Sequence, residues 1–129
     1  MNQEVFLKGR IIAGNNRGQH FVNLPWVKEQ IKTKLGFVPY IGTLNLKILN
    51  SKEIYQLRKA EGIKIEPEKG YYNGKCFKAL VMNKVEGAVV LPDVPEYPSD
   101  LLEILAPVNL RKTLELKNGD IIDLVINIK

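Results

Sequence analysis

The chain has 129 residues, of which 45% are hydrophobic and 26% are charged, values that are ordinary for one globular domain. The single cysteine, Cys76, excludes an internal disulfide framework and a cysteine-based zinc cluster. With a single histidine, His20, a histidine-rich metal site or a histidine-based triad is nearly excluded as well. No apolar run approaches the length of a membrane span. We therefore expect residues 1–129 to form a single domain of a cytoplasmic, monomeric protein without a membrane partner.

The net charge of +5 at pH 7 has two readings. One is a lysine-rich solvated surface, and the other is attraction to anions such as nucleotides or nucleic acids. The basic residues are scattered along the chain, and no run of them is long enough to form a nucleic-acid-binding arm. We therefore expect no nucleic-acid partner.

The first third of the chain predicts a strand, a turn and a helix. The strand covers Val5 to Ala13, and a cluster of turn residues follows it at Gly14-Asn15-Asn16-Arg17-Gly18. The helix is predicted from Leu24 to Leu35, with Asn23 as its N-cap, Pro25 in its first turn and Gly36 closing it.

The segment Gly42 to Leu49 predicts a strand with one buried face. Leu44, Leu46 and Ile48 alternate with the polar residues Thr43, Asn45 and Lys47. Residues i and i+2 of a strand point the same way, so Thr43 and Asn45 present two neutral oxygens on one side. Such oxygens suit a hard cation such as Mg²⁺ that also holds substrate phosphates. The pattern is also compatible with a solvent-facing strand that merely tolerates two polar residues.

The rest of the chain predicts further short strands with few helices. A capping box at Asn50 to Glu53 opens a helix from Ser51 to Ala60, stopped by Gly62. A short helical segment covers Val108 to Leu114, and Leu101 to Leu105 fits either a strand or a helix. Strands are predicted at Ile63 to Glu66, Cys76 to Met82, Gly87 to Leu91 and Ile121 to Ile128, with turns at Asn83 to Glu86 and Asn118-Gly119. Together, these elements predict a small, mainly β barrel with short helices.

Four further features are candidate site residues, each with an ordinary structural interpretation. The amides of the loop Gly14 to Gln19 are able to form an anion-binding nest, or the loop is a simple turn; it lacks the ending of a P-loop. Glu103 lies in an apolar stretch where a carboxylate needs a partner, unless it is the exposed residue of an alternating strand. Val108 to Arg111 fits a short helix with an asparagine cap and a surface arginine. The aromatic residues Trp26, Tyr40, Tyr71 and Tyr72 are stacking candidates or core residues.

The run GFVPYIGTLNLK, from Gly36 to Lys47, resembles the signature of the archaeal CTP-dependent riboflavin kinases. The resemblance extends along nearly the whole chain, through Gly14…Gly18, Phe21 to Pro25, Glu103 to Pro107, Asn109-Leu110-Arg111 and Asn118 to Asp120. It implies a single-domain cradle-loop β-barrel of the riboflavin kinase type. It also implies transfer of the terminal phosphate of CTP to riboflavin, which gives FMN and CDP.

The resemblance also implies roles for individual residues. Mg²⁺ would be bound by Thr43 and Asn45, and the flavin by Glu103 and by the position of Pro95. The nucleotide would be bound by two stretches, namely Gly14, Asn15, Asn16, Arg17, Gly18 and Gln19, and Val108, Asn109, Leu110 and Arg111. No residue is identified as the general base.

Two departures from the family pattern keep alternatives open. The family's first loop is typically richer in glycine and carries an acidic residue where this chain has Asn16 and Arg17, so the nucleotide donor or the metal dependence is open to change. Pro95 replaces a threonine that contacts the flavin phosphate region in the family. The alternatives are a kinase with changed donor specificity or metal dependence, and a non-catalytic barrel that binds a flavin or a nucleotide.

Overall fold

The computed structural model describes residues 3–14, 22–40, 42–70, 73–93 and 98–128. Within these ranges the chain forms mainly strands and few helices. The helices are α1 (Pro25–Leu35), α2 (Ser51–Lys59) and α3 (Leu110–Thr113). The strands are β1 (Glu4–Ile12), β2 (Leu44–Ile48), β3 (Ile63–Ile65), β4 (Gly74–Val81), β5 (Val85–Pro92), β6 (Leu101–Leu105) and β7 (Ile121–Asn127).

The strands form a closed antiparallel barrel. Their order is β3-β4-β5-β6-β2-β1-β7, and an additional pairing between β4 and β7 closes the ring. Strand β3 lies outside the ring, paired with the first residues of β4. Closure leaves no free edge between the first and last strands of the ring. The predicted mainly β barrel with short helices is confirmed, and Leu101–Leu105, whose pattern fits either a strand or a helix, forms a strand.

Alternation along the strands produces two hydrophobic cores, one inside the barrel and one outside it. The interior is filled by side chains such as Leu44, Leu46, Leu102 and Ile104. The second core packs the apolar stripe of α1 against outward-facing residues of the strands. Its buried members are Val22, Val27, Ile31, Leu35, Ile65, Cys76, Ala88, Val90 and Leu105.

Helix α1 has the predicted end but not the predicted N-cap. Gly36 adopts a left-handed conformation (φ +86°), and its amide donates to the carbonyls of Ile31 and Lys32. At the other end the cap position is Leu24, without a side-chain cap, so the prediction for Asn23 is wrong. The physical reason is Pro25, because the residue before a proline avoids the helical region; Leu24 is accordingly extended (φ −66°, ψ 132°).

The predicted capping box of α2 is also wrong. The side chain of Asn50 makes no cap hydrogen bond. Its Oδ1 accepts from the amide of Lys8 and its Nδ2 donates to the carbonyl of Phe6, both at 3.0 Å. The side-chain amide of Asn50 thus continues the pairing with β1 beyond the end of β2. These hydrogen bonds to β1 compete with capping of the helix. The helix ends at Lys59, ahead of the predicted Ala60 and Gly62.

The hairpin between β4 and β5 lies slightly earlier than predicted. The amide of Lys84 donates to the carbonyl of Val81 at 3.0 Å, and the two central residues, Met82 and Asn83, have φ of 52° and 59°. Positive φ at both central positions is what a type I′ hairpin turn requires. Strand β5 therefore begins at Val85, two residues earlier than predicted, and includes the polar Glu86 next to the turn, whereas β4 ends at Val81, one residue before the predicted Met82.

Candidate functional site

Asn45 and Glu103 are the two polar side chains that the core buries in the described part of the chain. They are 8% and 2% exposed, respectively. The register of β2 and β6 places them directly opposite each other. Since their neighbours Leu44, Leu46, Leu102 and Ile104 fill the barrel interior, both polar side chains lie on the outer face. Glu103 is therefore not an exposed residue of an alternating strand, which was the structural alternative for this position.

The first residue of the predicted nucleotide loop lies against Asn45. A Cβ atom at Gly14 would come within 2.7 Å of Cγ of Asn45 and closer still to its Nδ2. Only a residue without a side chain permits this approach. The structure thus joins Gly14 to the predicted metal-binding position. The other loop residues, Asn15, Asn16, Arg17, Gly18 and Gln19, lie outside the described residues.

Thr43 precedes β2 and lines a cavity of about 180 Å³ together with the stretch Val108 to Arg111. The wall also includes Tyr40, Gly42, Leu44, Ile104 and Ala106. Two segments more than sixty positions apart in the sequence, both predicted as site residues, therefore share one cavity. Asn45 and Glu103 do not line it; they lie farther along the same two strands.

Helix α3 is capped by Asn109, as predicted for this stretch. The Oδ1 atom of Asn109 accepts from the amide of Lys112 at 3.2 Å. Its Nδ2 atom donates to the hydroxyl of Tyr40 at 3.3 Å. Farther along α3, the Arg111 guanidinium donates to the carbonyl of Ile12 at 3.5 Å. This contact brings the predicted phosphate-binding arginine to the end of β1, two residues before Gly14.

The outer face beside Asn45 carries positive charge. Arg10 and Lys47 lie directly opposite each other on β1 and β2, next to the pair Ile12 and Asn45. Both are exposed, and neither forms an ion pair with any residue that the structure describes. Like charges that face each other across two strands are destabilising. Their placement favours the approach of an anion to this side of the barrel.

The oxygens available for a cation are those of Thr43 and Asn45, with the carboxylate of Glu103 opposite Asn45. No group of three or more His, Cys, Asp or Glu residues able to hold a metal occurs in the ranges that the structure describes. Neutral side-chain oxygens are ligands that Mg²⁺ accepts when phosphates and water complete its octahedral shell. The donor set therefore fits Mg²⁺ held jointly with a phosphate-bearing substrate.

The sequence indicates Tyr40 only as a core residue or a stacking candidate, and it gives no signal for Arg10 or Lys47. Tyr40 is 46% exposed and lines the cavity with Thr43. Its position directly before the Ile41-Gly42-Thr43 run was the available signal. The Arg10–Lys47 pair depends on strand register, which a single sequence does not specify. Pro95, His20, Tyr71 and Tyr72 lie outside the described residues.

In the described part of the chain, no helix has the length and apolar character needed to cross a membrane.

Comparison with known proteins supports one family. A family model labelled CTP-dep_RFKase, with the description "Domain of unknown function DUF120", matches residues 11–126. Proteins named riboflavin kinase are similar to the chain in several archaea. That of Methanosarcina barkeri is 40% identical over 120 residues, covering 88% of this chain and 53% of the relative. That of Pyrobaculum aerophilum is 41% identical over 127 residues, which cover 93% of this chain and 60% of the relative.

The riboflavin kinase of Methanococcus aeolicus is 38% identical over 125 residues, which cover 88% of this chain and 91% of that protein. For the other two relatives the chain spans between half and three fifths of their length. The matched region therefore corresponds to nearly all of one relative and to one part of the others.

Proposed function

The chain belongs to the CTP-dependent riboflavin kinase family, and on that premise we propose that it transfers the terminal phosphate of CTP to the primary alcohol of riboflavin. In this reaction the ribityl oxygen forms a bond to the γ-phosphorus while the bond between that phosphorus and the β-γ bridging oxygen breaks. The alcohol loses its proton to solvent or to a phosphate oxygen. The products are FMN and CDP.

The observation that carries this proposal is the convergence of separate segments on one side of the barrel. Thr43 and the stretch Val108 to Arg111 line one cavity, and Gly14 packs against Asn45. Asn45 in turn faces Glu103 across β2 and β6. These contacts between Gly14, Asn45 and Glu103, together with the cavity shared by Thr43 and Val108 to Arg111, support a common site for nucleotide, metal and flavin.

We assign the nucleotide to the two sides of this surface. The loop Gly14 to Gln19 would hold phosphates through its backbone amides, with Arg17 adding charge. The stretch Val108 to Arg111 would hold the rest of the nucleotide, and Arg111 would reach phosphate from α3. The exposed cations Arg10 and Lys47 raise the local concentration of the anionic substrate.

Thr43 and Asn45 would hold Mg²⁺ through their side-chain oxygens. When bound there, the ion would supply positive charge that stabilises the negative charge of the nucleotide phosphates. Asn45 is buried and packed under Gly14, so its amide is held in one place before the ligand arrives. Such preorganisation removes part of the ordering cost of binding.

Glu103 would hold the flavin by accepting hydrogen bonds from its ring system or its ribityl chain. The position of Pro95, which lacks a hydroxyl, is expected to contribute shape rather than a hydrogen bond. Phosphoryl transfer depends mainly on positioning and on charge stabilisation, so the lack of an identified general base is compatible with turnover. We further propose that residues 1–129 act as one monomeric, cytoplasmic domain.

The test measures FMN formation from riboflavin with CTP, ATP, GTP and UTP in parallel, each with Mg²⁺ and with a chelator. Turnover with CTP that is lost with the chelator supports the kinase and its metal. If another nucleotide gives faster turnover than CTP, or if turnover persists with the chelator, the next step is to substitute Asn16 and Arg17, which depart from the family pattern. Riboflavin or CTP binding without FMN from any donor contradicts the kinase and supports a binding barrel.

A further inference from the structure

We propose that Tyr40 forms the stacking surface for the base of the nucleotide, and that Asn109 positions Tyr40 instead of contacting the base. This inference rests on the proposed function, because it takes the cavity beside Thr43 to be the nucleotide site. It adds a ligand-contacting residue outside the stretches Gly14 to Gln19 and Val108 to Arg111.

Tyr40 is fixed at both ends while its ring stays accessible. Its backbone amide donates to the carbonyl of Ala106 at 2.8 Å, and its hydroxyl accepts from Nδ2 of Asn109 at 3.3 Å. Nevertheless 46% of the residue is exposed. An aromatic ring that is held rigidly and left uncovered at a cavity wall is suited to stack on a planar ligand, because little conformational freedom is lost on binding.

Both polar groups of the Asn109 side chain are already used by the protein. Oδ1 accepts from the amide of Lys112 and so caps α3, and Nδ2 donates to Tyr40. These two hydrogen bonds fix the orientation of the side chain, although Nδ2 keeps a second N–H and Oδ1 a second lone pair. We assign the side chain of Asn109 to joining α3 to Tyr40, and contact with the face of the base to the tyrosine ring.

The cavity has the composition expected for one base with a phosphate nearby. Val108, which is 38% exposed, adds apolar surface to that of Tyr40, and Arg111 supplies a positive charge at the same cavity. The volume of the cavity, about 180 Å³, is below the range of about 300–1,000 Å³ that is typical of pockets for drug-sized ligands. A planar base fits this description, with the phosphates lying outside towards Gly14 and Asn45.

The experiment compares the binding of CDP with that of pyrophosphate, both with Mg²⁺, by titration calorimetry. Pyrophosphate has the two phosphates but neither ribose nor base, so the ratio of the two affinities measures the contribution of the nucleoside part, and the change of this ratio in a Tyr40 variant measures the stacking contribution. Tyr40→Ala is expected to weaken CDP binding by roughly tenfold or more, as for loss of a base–aromatic stack, and to leave pyrophosphate binding unchanged. Tyr40→Phe keeps the ring and is expected to lose about threefold at most.

Asn109→Asp separates positioning from base contact. The carboxylate still caps α3, and its second oxygen is able to accept a hydrogen bond from the Tyr40 hydroxyl in place of the one that Nδ2 of Asn109 donates. We expect the ratio of CDP to pyrophosphate affinity to stay within about threefold of the unmodified protein, since added negative charge weakens both ligands alike. The matched control is Tyr55→Ala, which removes a tyrosine that is exposed on α2, away from the cavity.

Equal loss of both ligands in Tyr40→Ala, or no loss of CDP, overturns the stacking role. A fall in the affinity ratio in Asn109→Asp as large as that in Tyr40→Ala overturns the positioning role. The kinase proposal is tested separately by FMN formation. The two proposals are therefore distinguishable. If the unmodified protein makes no FMN, but Tyr40→Ala weakens the binding of CDP and not of pyrophosphate, the kinase proposal is contradicted and the stacking role is supported.

Discussion

Asn45 and Glu103 face each other across strands β2 and β6, both buried on the outer face of a barrel whose inner face is apolar. Burial of polar groups stabilises a fold little unless they are well partnered. A hydrophobic pair at these positions would avoid the free-energy cost of removing polar groups from water. The two residues are therefore the positions where we expect function and stability to conflict most.

We predict that Asn45→Leu lowers FMN formation by at least about a hundredfold and leaves the urea midpoint of unfolding unchanged or higher. Loss of the amide oxygen removes a proposed Mg²⁺ ligand, whereas the leucine adds apolar surface to a buried site. Activity assays and urea denaturation of the same preparation provide the measurement. Thr33→Val on the exposed face of α1 is the control, and full activity of Asn45→Leu would contradict the metal assignment.

Glu103→Gln is expected to raise the KM for riboflavin about tenfold or more, with the KM for CTP nearly unchanged. The substitution keeps the shape of the side chain but removes the charge and two acceptor sites from the proposed flavin contact. Steady-state kinetics with each substrate varied in turn measures the two constants. Glu86→Gln, at an exposed position of β5, is the matched control. An equal rise in both constants would argue against a flavin-specific role.

Gly14→Ala is expected to raise the Mg²⁺ concentration needed for half-maximal activity by about tenfold. The new methyl group would overlap the amide of Asn45, which must rotate away from its present position. A metal titration of the kinase reaction measures the change, and Ala13→Ser, one residue earlier, is the control. An unchanged metal requirement would show that the orientation of Asn45 is not critical.

The family motif and the alternation of Leu44, Leu46 and Ile48 predicted the barrel class and the candidate residues from sequence. The pairing of Asn45 with Glu103 was not predictable in this way, because register depends on long-range contacts between strands. The same limit applies to Arg10 and Lys47, which become neighbours only when β1 and β2 pair. The chain position of Tyr40 was visible, but its exposure was not.

The two wrong cap predictions have different causes. Asn23 and Asn50 both have the sequence context of helix caps, and both are displaced from that role. Pro25 shifts the start of α1 by one residue, and β1 uses the Asn50 amide for its own backbone groups. At Asn23 the backbone restriction before a proline overrides the capping signal, and at Asn50 a tertiary hydrogen bond overrides it.

We predict that Gly87→Ala destabilises the protein by about 1–3 kcal/mol, the usual range for overpacking. A Cβ atom there would lie 2.5 Å from the carbonyl oxygen of Leu105, and a backbone atom of a buried strand has little room to move. Urea unfolding measures the loss, with Glu86→Ala as the control. Because Ala106, the next residue, holds the amide of Tyr40, weaker CDP binding is expected to accompany the lower stability.

The buried thiol of Cys76 is expected to make stability decrease with pH above about 9. Burial raises the pKa of Cys76 from 9.0 to about 12, so the unfolded chain loses this proton first. Because the native state then binds more protons than the unfolded state, the free energy of unfolding falls between these two values. Urea denaturation between pH 8 and 11 measures the slope. In Cys76→Ala the slope is expected to be smaller, and an unchanged slope would exclude the thiol as its source.

Closure of the ring through β7 has a consequence for biosynthesis. Strand β7 pairs with both β1 and β4, so it joins two segments that are distant from it in the sequence. Until Ile121 to Asn127 has left the ribosome, β1 and β4 each expose an unpaired edge, which is a template for aggregation. Every folded molecule thus depends on a seven-residue strand that pairs with two distant partners, and we expect this long-range closure to make folding slow.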